Sequence, residues 1–424
     1  MNKIVQLSSN ILFSVLTENT PFNMAVNHFL KEENISSVER SQIVKFVGCS
    51  LRHFYIFDFL IKQHLPSLNE HDQCLVFIYL SNRLFLHVLS VEDGALILKD
   101  MSLKEDSDEK TALLKLDEAT NDVEKLIPND IVKDSPQFLS YRFNTPLWLV
   151  KMWSKHYGEY LTYRILRANS KPASNFYLVN NTLIKRDGLL NKYSDLSASS
   201  FDNYVLPKEK QNLKRHSAFL KREIIDISPS WYSVFEKADT DPIRGIAIYS
   251  GFPNNAFLSL LNKYDNKVKF DLVIGDSQAF FASKKTIENF HLVNACYYEV
   301  APTSVVTCIS KPVHTFFVFP RSSQLALLKS TPDYFLHFTQ EQLDGVIKGE
   351  EYLLHECGDL VEEGGQLIYA IPTINKKESH RLIKRFLESN PSFSLLEEQQ
   401  IFPFSEYEDS LYFAILKKEV VPHD

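Results

Sequence analysis

Residues 144–179, NTPLWLVKMWSKHYGEYLTYRILRANSKPASNFYLV, decide how the rest of the chain is read. Asn144-Thr145-Pro146 predicts a turn and a helix start, since Asn or Thr can cap and Pro suits the first helical position. Leu147, Leu149, Val150, Trp153, Tyr157 and Leu161 recur at helical spacing and give one apolar face. Gly158 predicts a break, residues 163–168 a second short helix, and Pro172 its end. The aromatic and β-branched run 176–179, FYLV, predicts a strand.

Helix, helix, strand in this wording resembles the opening of the catalytic part of the RsmB/Nop (Sun) family of RNA cytosine-5 methyltransferases. Their pattern there runs roughly P-x-W-L-V-x-x-W-x-x-x-Y-G, then L-x-A-N, then L-R-V-N. Trp148, Leu149, Val150, Trp153, Tyr157 and Gly158 fit its first part, and Leu166, Ala168, Asn169, Leu178, Val179 and Asn180 the rest. Any amphipathic helix with two tryptophans would share some of these letters, but the order of the matches favours the family.

Composition sets the bounds. At 424 residues, the chain has room for two or three domains of roughly 100–200 residues each. Its 44% hydrophobic content is that of a globular protein with a core. No run of 18 apolar residues is present, so no transmembrane helix is expected. The opening MNKIVQLSSNILFSVL lacks a small-residue cleavage site and continues in helical pattern, which reads as mature fold rather than signal peptide. Cys49, Cys74, Cys296, Cys308 and Cys357 form no CxxC pair, which argues for a reducing, cytoplasmic compartment and against a metal site. Between residues 100 and 134 there are 11 acids and 5 bases, so this stretch carries −6 of the net −7 and the remainder is near neutral. Twelve glycines are about 3% of the chain, against a usual level of about 7%.

Taken in order, residues 1–98 read as a helical bundle. Ile4, Leu7, Ile11, Leu12, Val15 and Leu16 make one apolar face; Val38, Ile43, Val44, Val47 and Leu51 another; and Leu75, Val76, Ile78, Tyr79 and Leu80 a third. The order resembles the NusB-like RNA-binding domain of RsmB, with Ser50-Leu51-Arg52-His53 where that domain carries G-V-L-R. Arg40, Lys45, Arg52 and His53 are then either phosphate contacts or solvated helix charges. Residues 99–135 read as an acidic linker. Residues 136–222 read as lead-in helices and a small α+β RNA-binding unit. This unit ends in PKEKQNLKRHSAFLKR (207–222), with six bases against one acid. Such a cluster suits a phosphate backbone. Lys208, Lys210, Lys214, Arg215, Lys221 and Arg222, with Lys151, Lys155, Arg164, Arg167 and Lys171 upstream, form the candidate RNA face; the alternative is an ordinary solvated basic helix.

From residue 223 to 420 short strands alternate with helices. Strands are expected at 245–249, 270–274, 295–299, 314–319, 366–370, 393–396 and 411–416, with helices through 261, to 292 and over 342–360. The alternation predicts a parallel, doubly wound sheet. Its order resembles that of a class I, Rossmann-like methyltransferase. The fold class is thus multidomain: a NusB-like all-α bundle, a small α+β unit and an α/β methyltransferase-like domain.

The resemblance implies a glycine-rich loop for S-adenosylmethionine, a ribose-binding acid, and two cysteines, one attacking the cytosine ring and one releasing the product. The family loop resembles D-x-C-A-A-P-G-G-K-T. Residues 248–257, IYSGFPNNAF, keep only Pro253. Ile248 stands at the acid, Asn254 and Asn255 at the paired glycines and Ala256 at the lysine. Asn tolerates left-handed backbone, so the turn is expected to survive, with Phe252 and Phe257 filling space. Asp276 is the candidate ribose acid or a helix N-cap, and Glu299 adjoins Val300 at the third-motif acid. The fourth motif, D-A-P-C-S-G with H-P-D beyond, aligns through Thr331-Pro332-Asp333. It places Ser322 (or Arg321, if Pro320 sets the register) at the cysteine and Phe319 at the acid. The sixth, G-G-x-L-V-Y-x-T-C-S then P-E-E-N, aligns with residues 364–373 and 376–379 and puts Pro372 at the nucleophile. Serine is far less ionised than a thiol, and proline has no nucleophile.

What builds the sheet is kept and what does chemistry is lost. The resemblance therefore implies an RsmB-like homologue without catalysis and without cofactor, a monomer that binds rRNA, the small ribosomal subunit or its precursor, with no membrane or metal partner. Two alternatives stand beside it: a divergent but active S-adenosylmethionine-dependent rRNA cytosine-5 methyltransferase, and a protein-binding scaffold.

Overall fold

The computed structural model describes residues 3–31, 33–90, 93–94, 97, 101, 123–171, 174–209, 211–264, 267–299, 305–326, 328 and 333–420. Lys210, Val300, Pro172, the Thr331-Pro332 pair and residues 102–122 of the acidic segment lie outside these. The chain divides into two compact units: residues 1–170 with 328–339, and residues 171–327 with 340–424.

The first unit is helical. Helices Lys3–Thr17, Phe22–Leu30, Ser37–Arg52, Phe54–His64 and Glu70–Ser81 are followed by a π turn over Asn82–Leu86. Their starts are written locally. Ser36 and Glu39 form a reciprocal capping box, and Asn69 accepts from the Asp72 N–H at 2.9 Å. Glu70–Ser81 is buried from Cys74 through Ser81, so it is central, with Lys3–Thr17 and Ser37–Arg52 packed against it. Val38, expected on an apolar face, is 65% exposed; it falls in the first turn of its helix, ahead of the buried run that begins at Ile43. Helix Val123–Leu126 buries Leu126, and Glu124 pairs with Arg142, so the end of the acidic segment is folded.

Helix Leu147–Asn169 has Pro146 at its N-cap, where no side chain caps it. Asn144, expected as a cap, instead takes left-handed backbone (φ 47°). Its side chain accepts from Tyr55 N at 3.1 Å and donates to Leu51 O at 2.7 Å, which ties the helix start to the junction between Ser37–Arg52 and Phe54–His64. Gly158 (φ 80°, ψ 167°) kinks the helix as expected, a conformation glycine reaches without strain. Trp153 is fully buried on the inner face.

The second unit holds two sheets. Strands β1 (Tyr177–Val179), β2 (Leu196–Ala198), β3 (Tyr204–Pro207) and β4 (Ile224–Ile225) form an antiparallel sheet in the order β2-β3-β1-β4. Tyr177, Val179, Val205 and Ile224 face a small core of their own, while Leu178, Tyr204 and Ile225 join the core of the large sheet. This is the two-residue alternation of strand faces. The basic stretch after β3 is not one helix: it is a 3-10 turn Leu213–Arg215 and a four-residue helix Ser217–Leu220. Leu213 and Ala218 are spaced too sparsely to hold a longer amphipathic helix against the sheet.

The large sheet comprises β5 (Ile246–Ser250), β6 (Phe270–Ile274), β7 (Ala295–Glu299), β8 (Val313–Phe319), β9 (Val361–Ile371), β10 (Phe393–Ile401) and β11 (Leu411–Lys418). Their order is β10-β11-β9-β8-β5-β6-β7. Five strands are parallel, with Ile248 opposite Leu272 and Phe317, and Phe317 opposite Ile368. The expectation of an all-parallel sheet is corrected at one edge, where β11 runs antiparallel to both β9 and β10. The chain turns back through a short hairpin there, which only antiparallel strands permit. Strands β5 and β8 are buried at every residue, as a sheet covered on both faces requires.

Candidate active site

In a sheet of this kind ligands bind outside the carboxyl ends of the parallel strands. Those ends are Ser250, Ile274, Phe319 and Ile371, and the loops leaving them define the candidate site.

After β5 the chain turns at Gly251, whose N–H donates to Phe319 O at 2.8 Å. A Cβ there would lie 2.5 Å from Arg321 N, so the backbone of Pro320-Arg321 rests directly on the loop. Ser250 Oγ donates to Phe252 O at 2.8 Å, and Asn254 Oδ1 accepts from Ala256 N at 2.7 Å. Neither Asn254 nor Asn255 has positive φ, so the left-handed turn expected at the paired-glycine positions is absent. The asparagines shape the loop through their side chains instead. Phe257 is buried in the sheet core and Phe252 packs against it, with Trp231 between Phe252 and Phe319.

After β6, Asp276 caps helix Ser277–Asn289 by accepting from Ala279 N at 2.8 Å. Beside it Gly275 leaves no room for a Cβ, because Tyr249 Oη would stand 2.2 Å away. Glu299, at the end of edge strand β7, is exposed. An S-adenosylmethionine cradle needs free N–H donors on a side-chain-free loop and an uncommitted acid for the ribose. Here the loop donor Ala256 N is held by Asn254, the loop's one glycine is covered by backbone, and Asp276 is engaged in capping. These residues do not fit the group.

The ends of β8 and β9 are joined by an acid. Glu378 is fully buried. Its carboxylate accepts from Ser323 N at 2.7 Å, Ser323 Oγ at 2.6 Å, Thr373 Oγ1 at 2.9 Å and Asn375 Nδ2 at 2.9 Å. Its carbonyl accepts from Tyr369 Oη at 3.0 Å. One carboxylate thus clamps the loop after β8 to the loop after β9. Ser322 is 2% exposed, and its Oγ accepts from Gln324 N at 3.3 Å. Pro372 O accepts from Ala326 N at 3.2 Å. Glu350, 1% exposed on helix Gln340–Asp359, lies against the same cluster beside Glu378 and Tyr369. Burial, and then the negative charge of Glu378, push its carboxyl well above the usual carboxylate range.

No thiol takes part. Cys49, Cys74 and Cys357 are buried, and desolvation raises Cys49 to about 11 and Cys74 to about 12 and puts Cys357 well above the ordinary thiol range. Cys296 sits on edge strand β7, and Cys308 follows the turn Val305–Thr307. The sequence carried one signal for the clamp, the glutamate retained in the run 376–379, but not its partner Ser323, 55 residues away.

The candidate RNA residues fall in two groups. Lys151 is exposed on helix Leu147–Asn169, and Arg164 lies over the Tyr160 ring at 5.7 Å; both belong to the first unit. In the second unit Lys208, Lys214, Arg215, Lys221 and Arg222 follow one another around the small sheet, with Lys214 3.5 Å from Asp226. Arg222 takes φ 62° at the turn into β4. Of the bundle candidates, Arg40 donates to Asn27 at 3.2 Å. His53 stacks on Phe85 at 3.9 Å, and burial lowers its pKa to about 4, so it brings no charge to a phosphate.

Seven strands in this order, with five parallel and a closing antiparallel hairpin, define a class I methyltransferase fold, here preceded by a helical unit. Along nearly its whole length the chain resembles the RsmB/Nop family of RNA methyltransferases. No protein-family model matches it. It is 20% identical over 426 residues, 93% of this chain and 88% of the other, to the probable ribosomal RNA small subunit methyltransferase B of Bacillus subtilis (strain 168). Among solved structures it shares its fold with PH0851 (TM-score 0.77, 15% identity, 99% of both chains). It also superposes on NSun6 from Pyrococcus horikoshii with SFG (TM-score 0.59, 10% identity, 65% of this chain and 99% of that one). A methyltransferase homolog protein from the same organism gives a TM-score of 0.58 at 12% identity, over 69% of this chain and 100% of that one. No helix among the described residues is long and apolar enough to cross a membrane.

Proposed function

We propose that the chain is an RsmB-like rRNA cytosine-5 methyltransferase homologue that has lost catalysis and retains binding of rRNA, the small ribosomal subunit or its precursor. The observation that carries this reading is the clamp at the strand ends. Glu378 holds the loops where the family places its two cysteines, yet Ser322 and Pro372 stand at those positions and both are tied into local hydrogen bonds. Neither supplies a nucleophile for the cytosine ring. The loop after β5, with its donor held by Asn254 and its glycine covered, supports loss of the cofactor. In this reading residues 1–98 are a NusB-like RNA-binding domain, 99–135 an acidic linker, 136–222 the lead-in helices and a small RNA-binding unit, and 223–420 the methyltransferase-like domain. The protein acts as a cytoplasmic monomer. Lys208, Lys214, Arg215, Lys221 and Arg222 supply charge for phosphate, with Lys210 between them in sequence.

Calorimetric titration with S-adenosylmethionine, followed by methyl transfer to small-subunit rRNA, tests the reading. The expected result is no binding heat and no transfer, with RNA retained on the protein. Micromolar cofactor binding with transfer would replace it by the divergent active enzyme; loss of RNA retention would replace it by the protein scaffold.

A further inference from the structure

The helix Leu147–Asn169 begins beside a pocket of about 660 Å³ that the strand-end clamp does not use. The pocket lies wholly within the first unit, and its volume is in the range of small-molecule sites. Its walls are aromatic: Phe59, Tyr141, Trp148, Phe335 and Phe338 all face it. The Phe59 and Tyr141 rings stand 5.0 Å apart at 42°. Asp58 and Lys62 on its wall pair with each other at 2.8 Å, so it presents no net charge to what enters. Gln63 and Gln137 add amides that both donate and accept. A flat, neutral, partly polar group suits such a place better than an anion or a purely aliphatic chain.

Charge begins just outside. Lys151 and Lys155 follow Leu147 at four-residue steps, hence on one helix face, spaced about 6 Å apart along the axis. Both are exposed, and no ion pair among the described residues engages either. An aromatic pocket at the start of a helix that carries two exposed lysines further along combines the two elements of single-strand recognition, a stacking platform and an electrostatic track. We propose that this pocket receives one unstacked base of a single-stranded RNA, with Lys151 and Lys155 meeting the phosphates that flank it. The inference rests on the reading of the chain as an RNA binder, and adds where a base is held.

The test uses the full chain and a short, fluorescein-labelled single-stranded RNA of mixed sequence, with binding read by anisotropy at several salt concentrations. Trp148→Ala is expected to weaken binding roughly tenfold with the salt dependence unchanged, and Trp148→Phe to restore it, because a ring is what stacking needs. Lys151→Ala and Lys155→Ala are each expected to lower the salt slope by about one. With 4-thiouridine in the RNA, photocrosslinks on the unsubstituted protein are expected at the pocket aromatics. The proposal is overturned if Trp148→Ala binds like the parent and crosslinks fall elsewhere, as they would if the pocket held an apolar segment of a partner protein. If the parent itself retains no RNA, the reading of the whole chain fails with it, and the two failures are told apart by that first measurement.

Discussion

Ser323 Oγ donates a 2.6 Å hydrogen bond to the Glu378 carboxylate, and Ser323 N a second of 2.7 Å, across 55 residues of sequence. Thr373 and Asn375 complete four donors to one buried acid. Charge-assisted bonds of this kind are the strong ones in a protein interior, and a site that loses its acceptor leaves every donor unsatisfied. The two loops that would hold reactive groups in an enzyme are thereby fixed without them.

Glu378→Ala is therefore expected to destabilise the protein by about 3 kcal/mol or more, read as a lowered urea midpoint. Glu378→Gln keeps the shape but can accept at only one oxygen, and should lie between parent and alanine variant. Equal midpoints for parent and Glu378→Ala would show that the clamp contributes nothing.

Glu350 predicts a pH dependence. Its folded-state pKa is raised from about 4.5, so its contribution is fully present below that value, where the unfolded chain is protonated as well. Stability then falls as pH climbs towards the raised folded value, by about 1.4 kcal/mol per pH unit, since the unfolded chain releases a proton the fold retains. Glu350→Gln fixes the neutral form. The advantage of the variant over the parent should be absent near pH 4 and grow towards neutrality in denaturation series; a constant difference across that window would rule the assignment out.

Asp276→Ala should cost about 1 kcal/mol, the usual value of a helix N-cap, with Asp276→Asn close to the parent because Asn caps as well. If Asp276 were a ribose ligand, the asparagine variant would instead show weakened cofactor binding by calorimetry.

Gly251→Ala puts a Cβ, fixed in place by its own backbone, 2.5 Å from the backbone N of Arg321. Neither can rotate away, so the loop after β8 must shift. A thermal midpoint lowered by several degrees is expected, together with faster amide exchange at Phe252, whose neighbours would move with it. An unchanged midpoint would mean that the two loops are not in contact in solution.

The sheet was legible where apolar side chains dominate short runs: residues 270–274 and 295–299 are strands from end to end as read, and β5 and β8 shift by a single residue. A short apolar run carries no direction, which is why the reversal of β11 could not be read from LYFAILKK. Polar residues with distant partners were less legible. Asn144 looked like a cap, yet its partners Leu51 and Tyr55 lie 93 and 89 residues away. Glu378 sits in KKES, a run of polar residues, and is fully buried. The basic run 207–222 was located by charge, but charge says nothing of backbone, and the run folds as a 3-10 turn and a four-residue helix.

Strand β11 lies between β9 and β10, although it follows both in the chain. Synthesis from the N-terminus therefore delivers β9 and then β10 while the slot between them is empty. Until β11 emerges, the fully buried outer half of β9, from Gly365 to Ile371, presents unpaired N–H and C=O groups and apolar side chains to whatever is nearby. The nascent protein passes through a stage at which the wrong strand can take that slot, so chaperone occupancy during translation should peak between the emergence of residue 371 and that of residue 418.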